Sequence, residues 1–170
     1  RSLDAGCGNG RNLVWFFKND FEVYAVDRDV AAIDYLKSAY PHFNKERWQV
    51  AEIDKLPFAN RFFDHVISSA VLHFAKSTSH FKDMMREMVR ILKPNGSLFI
   101  RMTSNIGIEN KVKQIANGVY HIPDGSIRFL LTPTLLKEVM QENKLSFIEP
   151  LKTVNVDNVR CMSTLVLMKK

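Results

Sequence analysis

A single α/β domain, built on a parallel sheet with helices on both faces, is what this sequence predicts. Three observations point there. Strand-like apolar stretches alternate with helical ones along most of the chain, the pattern of such a sheet. Phe63-Asp64-His65-Val66-Ile67-Ser68-Ser69 is mostly apolar, as a strand buried on both faces must be. Three glycines, Gly6, Gly8 and Gly10, stand directly after the first strand, and ligands in these sheets bind beyond the carboxyl ends of strands.

The elements follow in order. Residues 2–5 form a short strand, and 10–19 a helix ending near Asn19-Asp20. Free N–H groups at that helix start add donors to the glycine turn. Residues 21–26 make a second strand closed by Asp27, and a helix runs to about residue 38 until Pro41 stops it. Trp48–Ala51 is a third strand, Leu56–Asn60 a turn and 63–69 a fourth strand. Over 79–92, Phe81, Met84, Met85, Met88, Val89 and Leu92 share one helical face, which reads as core rather than cofactor box. Lys93-Pro94-Asn95-Gly96 turns the chain into a fifth strand at 97–102. Residues 104–131 are less regular, with a helix expected near 108–117. Thr132-Pro133 pairs an N-cap with a first-turn proline and opens a helix to about Asn143; strands near 145–152 and 160–168 finish the chain.

Composition narrows the function classes. The chain has 170 residues and opens at Arg1, almost on top of its first strand. The expectation is one domain over 1–170 with an N-terminal segment missing. No apolar run approaches the roughly 18 residues of a membrane span. Cys7 and Cys161 lack metal-ligand spacing, so zinc is not expected. Cys7 reads as a small residue packed in a turn, although a helix start can activate a thiol. Without a disulfide framework, a cytoplasmic setting is expected. A net charge of +6 permits nucleic acid or anionic metabolites and establishes neither. No basic run interleaved with aromatics marks a nucleic-acid surface.

The ligand of the turn is narrowed by its companions. A dinucleotide fingerprint needs G-x-G-x-x-G, yet here Arg11 stands where a third glycine is required. A phosphate loop is excluded because no G-K-[ST] follows. Asp27, ending the second strand, can accept from both hydroxyls of a ribose; the plainer alternative is a helix N-cap, which Asp29 can supply instead. Glu52, ending the third strand, can accept from an adenine amine or be a solvated loop acid. Asp4 can meet a cationic group or brace the loop donors.

Leu3-Asp4-Ala5-Gly6-Cys7-Gly8-Asn9-Gly10 resembles motif I of the class I S-adenosylmethionine-dependent methyltransferases, and Tyr24-Ala25-Val26-Asp27 their second motif. The stretches 51–58 and 62–73 are similar to the next two, and Arg90-Ile91-Leu92-Lys93-Pro94-Asn95-Gly96-Ser97-Leu98 to the turn before strand five. The small-molecule branch, with type 11 and tellurite-resistance-like members carrying a similar C-G-N-G-R-N turn, resembles it best. The resemblance implies a Rossmann-like three-layer sandwich, with a seven-stranded mostly parallel sheet and an antiparallel C-terminal strand. It implies S-adenosylmethionine as cofactor. Gly6, Gly8 and Gly10 would admit its methionine part and Asp4 would brace the ammonium. Asp27 would hold the ribose, Glu52 the adenine amine and the Ile53 N–H a ring nitrogen. Ser68 and Ser69 would lie beside the transferring methyl. Glu52 departs from the family's usual aspartate, and Asn95 replaces a glycine, which its tolerance of left-handed backbone allows.

The acceptor is not legible. A small molecule is expected; RNA or protein acceptors and a catalytically silent cofactor-binding module are the alternatives. No N-P-P-Y or D-P-P-Y follows strand four, which disfavours amino methylation of DNA bases, and no Pro-Cys suggests a cytosine-C5 nucleophile. His73, just past strand four, is the candidate general base, with a packed or surface histidine as the plainer alternative; His121 carries the same ambiguity. Met102, Tyr120 and Phe129 read as core before pocket.

Overall fold

Ser2–Ala5 (β1), Leu13–Lys18 (α1), Val23–Asp27 (β2), Val30–Ala39 (α2), Trp48–Val50 (β3) and Phe63–Ser69 (β4) open the computed structural model, which describes residues 1–170. Thr78–Ile91 (α3), Leu92–Ser104 (β5), Lys113–Ala116 (β6), Val119–His121 (β7), Ile127–Phe129 (β8), Pro133–Glu142 (α4), Leu145–Val156 (β9) and Arg160–Lys169 (β10) complete it. The main sheet has seven strands in the order β3-β2-β1-β4-β5-β10-β9. The strands from β3 to β5 run parallel, and β10 is antiparallel to both its neighbours. This is the mostly parallel sheet with an antiparallel C-terminal strand that the sequence predicts. Its order reverses between β1 and β4, and at such a switch point a crevice opens.

Two apolar clusters hold the layers. The larger gathers 27 buried residues, with the α3 face of Phe81, Met84, Met85, Met88 and Val89 packed on the sheet. The smaller packs Leu13, Ile33, Leu36 and Trp48 between α1, α2 and the first three strands, with Phe17 and Phe43 against it. Asp29 caps α2 by accepting from the Ala31 N–H at 2.9 Å, and Thr132 caps α4 by accepting from Leu135. Asn95 takes the left-handed conformation, φ 63°, within β5, where the stretch from 93 to 96 breaks the register with β4. No helix is long and apolar enough to cross a membrane.

Two expectations need correction. The first helix spans Leu13–Lys18 rather than 10–19. Gly8 and Gly10 hold φ of 49° and 78°, a left-handed path that cannot belong to a right-handed helix. The second correction falls at 108–117, where no α-helix forms. A short 3-10 turn at Glu109–Lys111 leads into β6, and β6, β7 and β8 make a separate three-stranded antiparallel sheet. Asn117-Gly118 is the two-residue connection between β6 and β7, with Gly118 at φ 79°.

Candidate functional site

The three glycines serve different ends. A Cβ on Gly6 would sit 2.3 Å from Val71 Cγ2, and one on Gly10 would sit 2.6 Å from Leu36 Cδ2. Those two let the chain pack closely on its own neighbours. Gly8 has no heavy atom within 4 Å of a Cβ position, so its bare side opens onto free space. The loop that they form lies across the carboxyl end of β1, where the Gly6 and Cys7 N–H groups both donate to the Val26 carbonyl.

A cleft of about 300 Å³ opens there. Gly6 and Gly8 line one side, Asp27 and Arg28 the end of β2, and Glu52 and Ile53 the segment after β3. Ala70 and Val71 line it beyond β4, and Phe74, His80 and Met84 close the far wall. The Asp27 carboxylate already accepts from the Gly8 N–H at 2.8 Å and from the Asp29 N–H at 2.9 Å. A carboxylate offers about four lone-pair sites, so each oxygen keeps capacity for a ligand. Glu52 is exposed and its side chain has no protein partner, and the Ile53 N–H donates to no backbone carbonyl.

Asp4 lies at the root of the same loop, only 1% exposed. Its Oδ2 accepts from Asn12 Nδ2 at 3.4 Å, while Oδ1 has no partner. Burial pushes its carboxyl up to about 7, against the Asn12 contact, and the charge of Asp27 adds to the rise. A buried carboxylate short of partners is costly unless a cation reaches it. Cys7 is buried and its thiol is pushed up, first by burial and then by Asp4 and Asp27. It is a packing residue, not an activated thiol.

Of the sequence-predicted residues, Gly6, Gly8, Asp27, Glu52 and Ile53 share the cleft. Gly10 does not line it, and its missing side chain makes room for Leu36. Ser68 is fully buried with an unpartnered Oγ. Ser69 faces a separate, shallow depression beside Trp15, Phe16, Ile67 and Phe99. Neighbours on a strand point to opposite faces, so the pair cannot both reach one cleft. His73 is also off the cleft wall. Its ring is 7% exposed and packs edge-on against Phe74, with Nδ1 unpartnered. Burial, then the charges of Arg128, Arg160 and Arg101, push its imidazole down to about 4. That makes it a weak base at neutral pH. His121 is exposed on β7, Tyr120 borders a small groove beside Thr78 and Asn117, and Met102 and Phe129 are core.

His80 is the residue that sequence reasoning missed. It sits in the first turn of α3, where Ser77 accepts its backbone N–H. Its Nδ1 accepts the Lys76 N–H at 3.1 Å, which leaves the proton on Nε2, 3.3 Å from Asp54 Oδ2. The signal was present as an acid and a histidine on either side of the β4 strand, but only the fold joins them.

Residues 3–100 match the methyltransferase domain family. An uncharacterized methyltransferase of Bacillus subtilis, YodH, is 34% identical over 116 residues, which is 66% of this chain and 44% of that protein. The tRNA (carboxymethyluridine(34)-5-O)-methyltransferase of Arabidopsis thaliana is 33% identical over 58% of this chain and 22% of its own length. This chain therefore matches less than half the length of either relative. Among solved structures, the 1,6-didemethyltoxoflavin-N1-methyltransferase of Burkholderia thailandensis, crystallised with S-adenosylhomocysteine, superposes with a TM-score of 0.74. That likeness covers 99% of this chain and 70% of that one at 17% identity. With more than half of its length inside the family match, the chain belongs to the methyltransferase domain family, as a class I S-adenosylmethionine-dependent methyltransferase.

Proposed function

We propose that this domain transfers the methyl group of S-adenosylmethionine to a small-molecule acceptor by in-line displacement. The observation that carries the reading is the meeting of Gly8, Asp27 and Glu52 in one cleft at the carboxyl ends of the strands. The donor set fits the cofactor. Asp27 keeps free lone pairs for two ribose hydroxyls, Glu52 is an open acceptor for an adenine amine, and the Ile53 N–H suits a ring nitrogen. Gly8 gives the amino-acid tail room against the backbone, and Asp4 is a carboxylate that lacks a cation. His80 and Met84 add an edge and an apolar surface to the far wall. Gly10, Ser68, Ser69 and His73 have structural roles in this reading.

When bound, the cofactor supplies a methyl already activated on a sulfonium. The protein's work is then alignment and exclusion of water. Ala70, Val71 and Phe74 are the apolar walls that can exclude it. Ala70 is held in place at φ 62°, and its N–H donates to the Arg101 carbonyl at 2.7 Å. With His73 buried and its imidazole pushed down to about 4, proton removal by that ring is not part of the mechanism. An acceptor atom that is already a free nucleophile needs no such base. The Burkholderia structure has 1,6-didemethyltoxoflavin bound, which supports the small-molecule reading, while the plant relative is a tRNA methyltransferase and keeps an RNA acceptor as the alternative.

Isothermal titration tests the premise. S-adenosylmethionine should bind and NAD should not, and Asp27→Ala should weaken the former at least about tenfold, the loss of one charge-assisted contact. Binding of NAD alone would overturn the reading, and unchanged affinity in Asp27→Ala would remove Asp27 from the ribose.

A further inference from the structure

Beyond the cofactor cleft, positive charge collects around the turn that follows β4. Phe74 stands on the cleft wall, and the Arg128 guanidinium lies over its ring at 5.1 Å. The only hydrogen bond of that guanidinium is to the Ile127 carbonyl, at 2.7 Å. Arg101, across the sheet from Ser69 at the carboxyl end of β4, is exposed and has no carboxylate partner. Arg160 opens β10, with Asp124 at 3.8 Å as its single acidic neighbour. Arg28, on the cleft itself, is likewise unpaired. Of these four arginines, only Arg160 is in a salt bridge.

Several cations elsewhere on the chain are paired with carboxylates. Arg90 has Glu87, Lys82 has Glu138 and Glu142, and Lys93 has Asp64. The buried His73 beside Arg128, Arg160 and Arg101 cannot join them as a further cation without loss, since its ring is taken out of water. Asp124 is the one carboxylate that feels the charges of Arg160 and Arg128, and guanidinium groups held by an aromatic face with so little counter-charge are suited to planar, bidentate anion recognition.

We infer that the methyl acceptor is a small molecule bearing a carboxylate or phosphate, held by Arg128 and Arg160 with Arg101 beside them, so that its remaining part reaches past Phe74 to the cleft. The inference rests on the methyltransferase reading and adds the charge of the substrate to it. Arg128 is the anchor because its guanidinium is placed against the cleft-wall phenyl ring. Arg160, tied to Asp124 only at long range, is the adaptable partner.

The test uses the full chain saturated with S-adenosylhomocysteine. Malonate and inorganic phosphate are titrated in separately, with neutral glycerol as control. One anion or both should bind and glycerol should not, and the two arms tell a carboxylate site from a phosphate site. Arg128→Gln and Arg160→Gln should each raise the anion's Kd about tenfold, the worth of one charge-assisted contact. The Kd for S-adenosylhomocysteine should stay within about twofold, since neither arginine lines its cleft and a change of that size is below one contact. S-adenosylhomocysteine binding without anion binding, or anion binding indifferent to both substitutions, overturns this inference alone. No S-adenosylhomocysteine binding overturns the methyltransferase reading and this one with it. Single-stranded RNA bound through the same two arginines, with neither anion bound, would replace the small acceptor by a nucleic acid.

Discussion

One oxygen of Asp4 rests on Asn12 and the other on nothing, and this sets a pH dependence. Because its carboxyl is raised from 3.8 to about 7, the folded chain between those values keeps a proton that the unfolded chain releases. Stability of the ligand-free protein therefore falls as pH climbs through that window. A cationic ligand group beside Asp4 favours the ionised form, so the sign reverses for binding. Affinity for S-adenosylmethionine, followed by titration calorimetry, should rise by up to about tenfold per pH unit toward pH ~7 and then level off. Asp4→Asn should abolish the slope, and a flat profile in the unsubstituted protein would take Asp4 out of the site. At this scale the sequence was informative wherever a short segment fixes a side chain. Asp27 and Glu52 come straight off strand ends, so their arrival at one cleft follows from a parallel sheet. Ser68 and Ser69 were expected together at the transferring methyl, yet strand alternation sends adjacent residues to opposite faces. Gly10 looked like a ligand position although its bare side faces Leu36, a contact between residues far apart in sequence.

Among the elements, the hairpin sheet β6-β7-β8 shows where local reading failed. Each of the four β6 residues is exposed, so no period-two burial pattern marks it. The Asn117-Gly118 pair was the remaining signal, since two such residues between short runs favour a hairpin. Gly118 is held by tertiary contact as well as by its φ of 79°: a Cβ there would lie 2.1 Å from Phe129 Cε2. Phe129 in turn stacks on Phe81 of α3 at 4.9 Å, which ties the hairpin to the main core. Gly118→Val should strip amide-exchange protection from 113–129 and cost about 1–3 kcal/mol of stability, as overpacking typically does. The central strands β1 and β4 should stay protected. Retained protection in the hairpin would mean that Phe129 can move aside. The amphipathic α3, by contrast, was legible to within one residue at each end, with Leu92 opening β5 instead of closing the helix, because fourteen residues give the helical period room to repeat.

In the whole molecule, the cleft occupies the carboxyl ends of the parallel strands, and the fastenings sit at the other end. Lys169 of β10 donates to the Val89 and Leu92 carbonyls, at 2.7 and 2.8 Å, where α3 gives way to β5. Lys93 pairs with Asp64 at 2.7 Å near the start of β4. Stability and binding are therefore separable. Lys169→Met should destabilise by about 1–3 kcal/mol, since the Leu92 carbonyl loses its ammonium donor and the Val89 carbonyl keeps only the Leu92 N–H, and urea denaturation will read that. Cofactor affinity should stay within about twofold, below the worth of one hydrogen bond; a larger loss would show that the two ends are coupled. The overall architecture was legible because it depends only on alternating elements, whereas the position of β10 depended on family likeness, as nothing local says which strand slots beside which. That position has a consequence for synthesis. β10 lies between β5 and β9 yet follows both in the chain. While the nascent polypeptide leaves the ribosome, β5 presents a bare row of backbone donors and acceptors, an open template for stray pairing. Because β9 pairs only with β10, the two join the β5 edge together as a hairpin, and that edge stays an open template until β10 has been made.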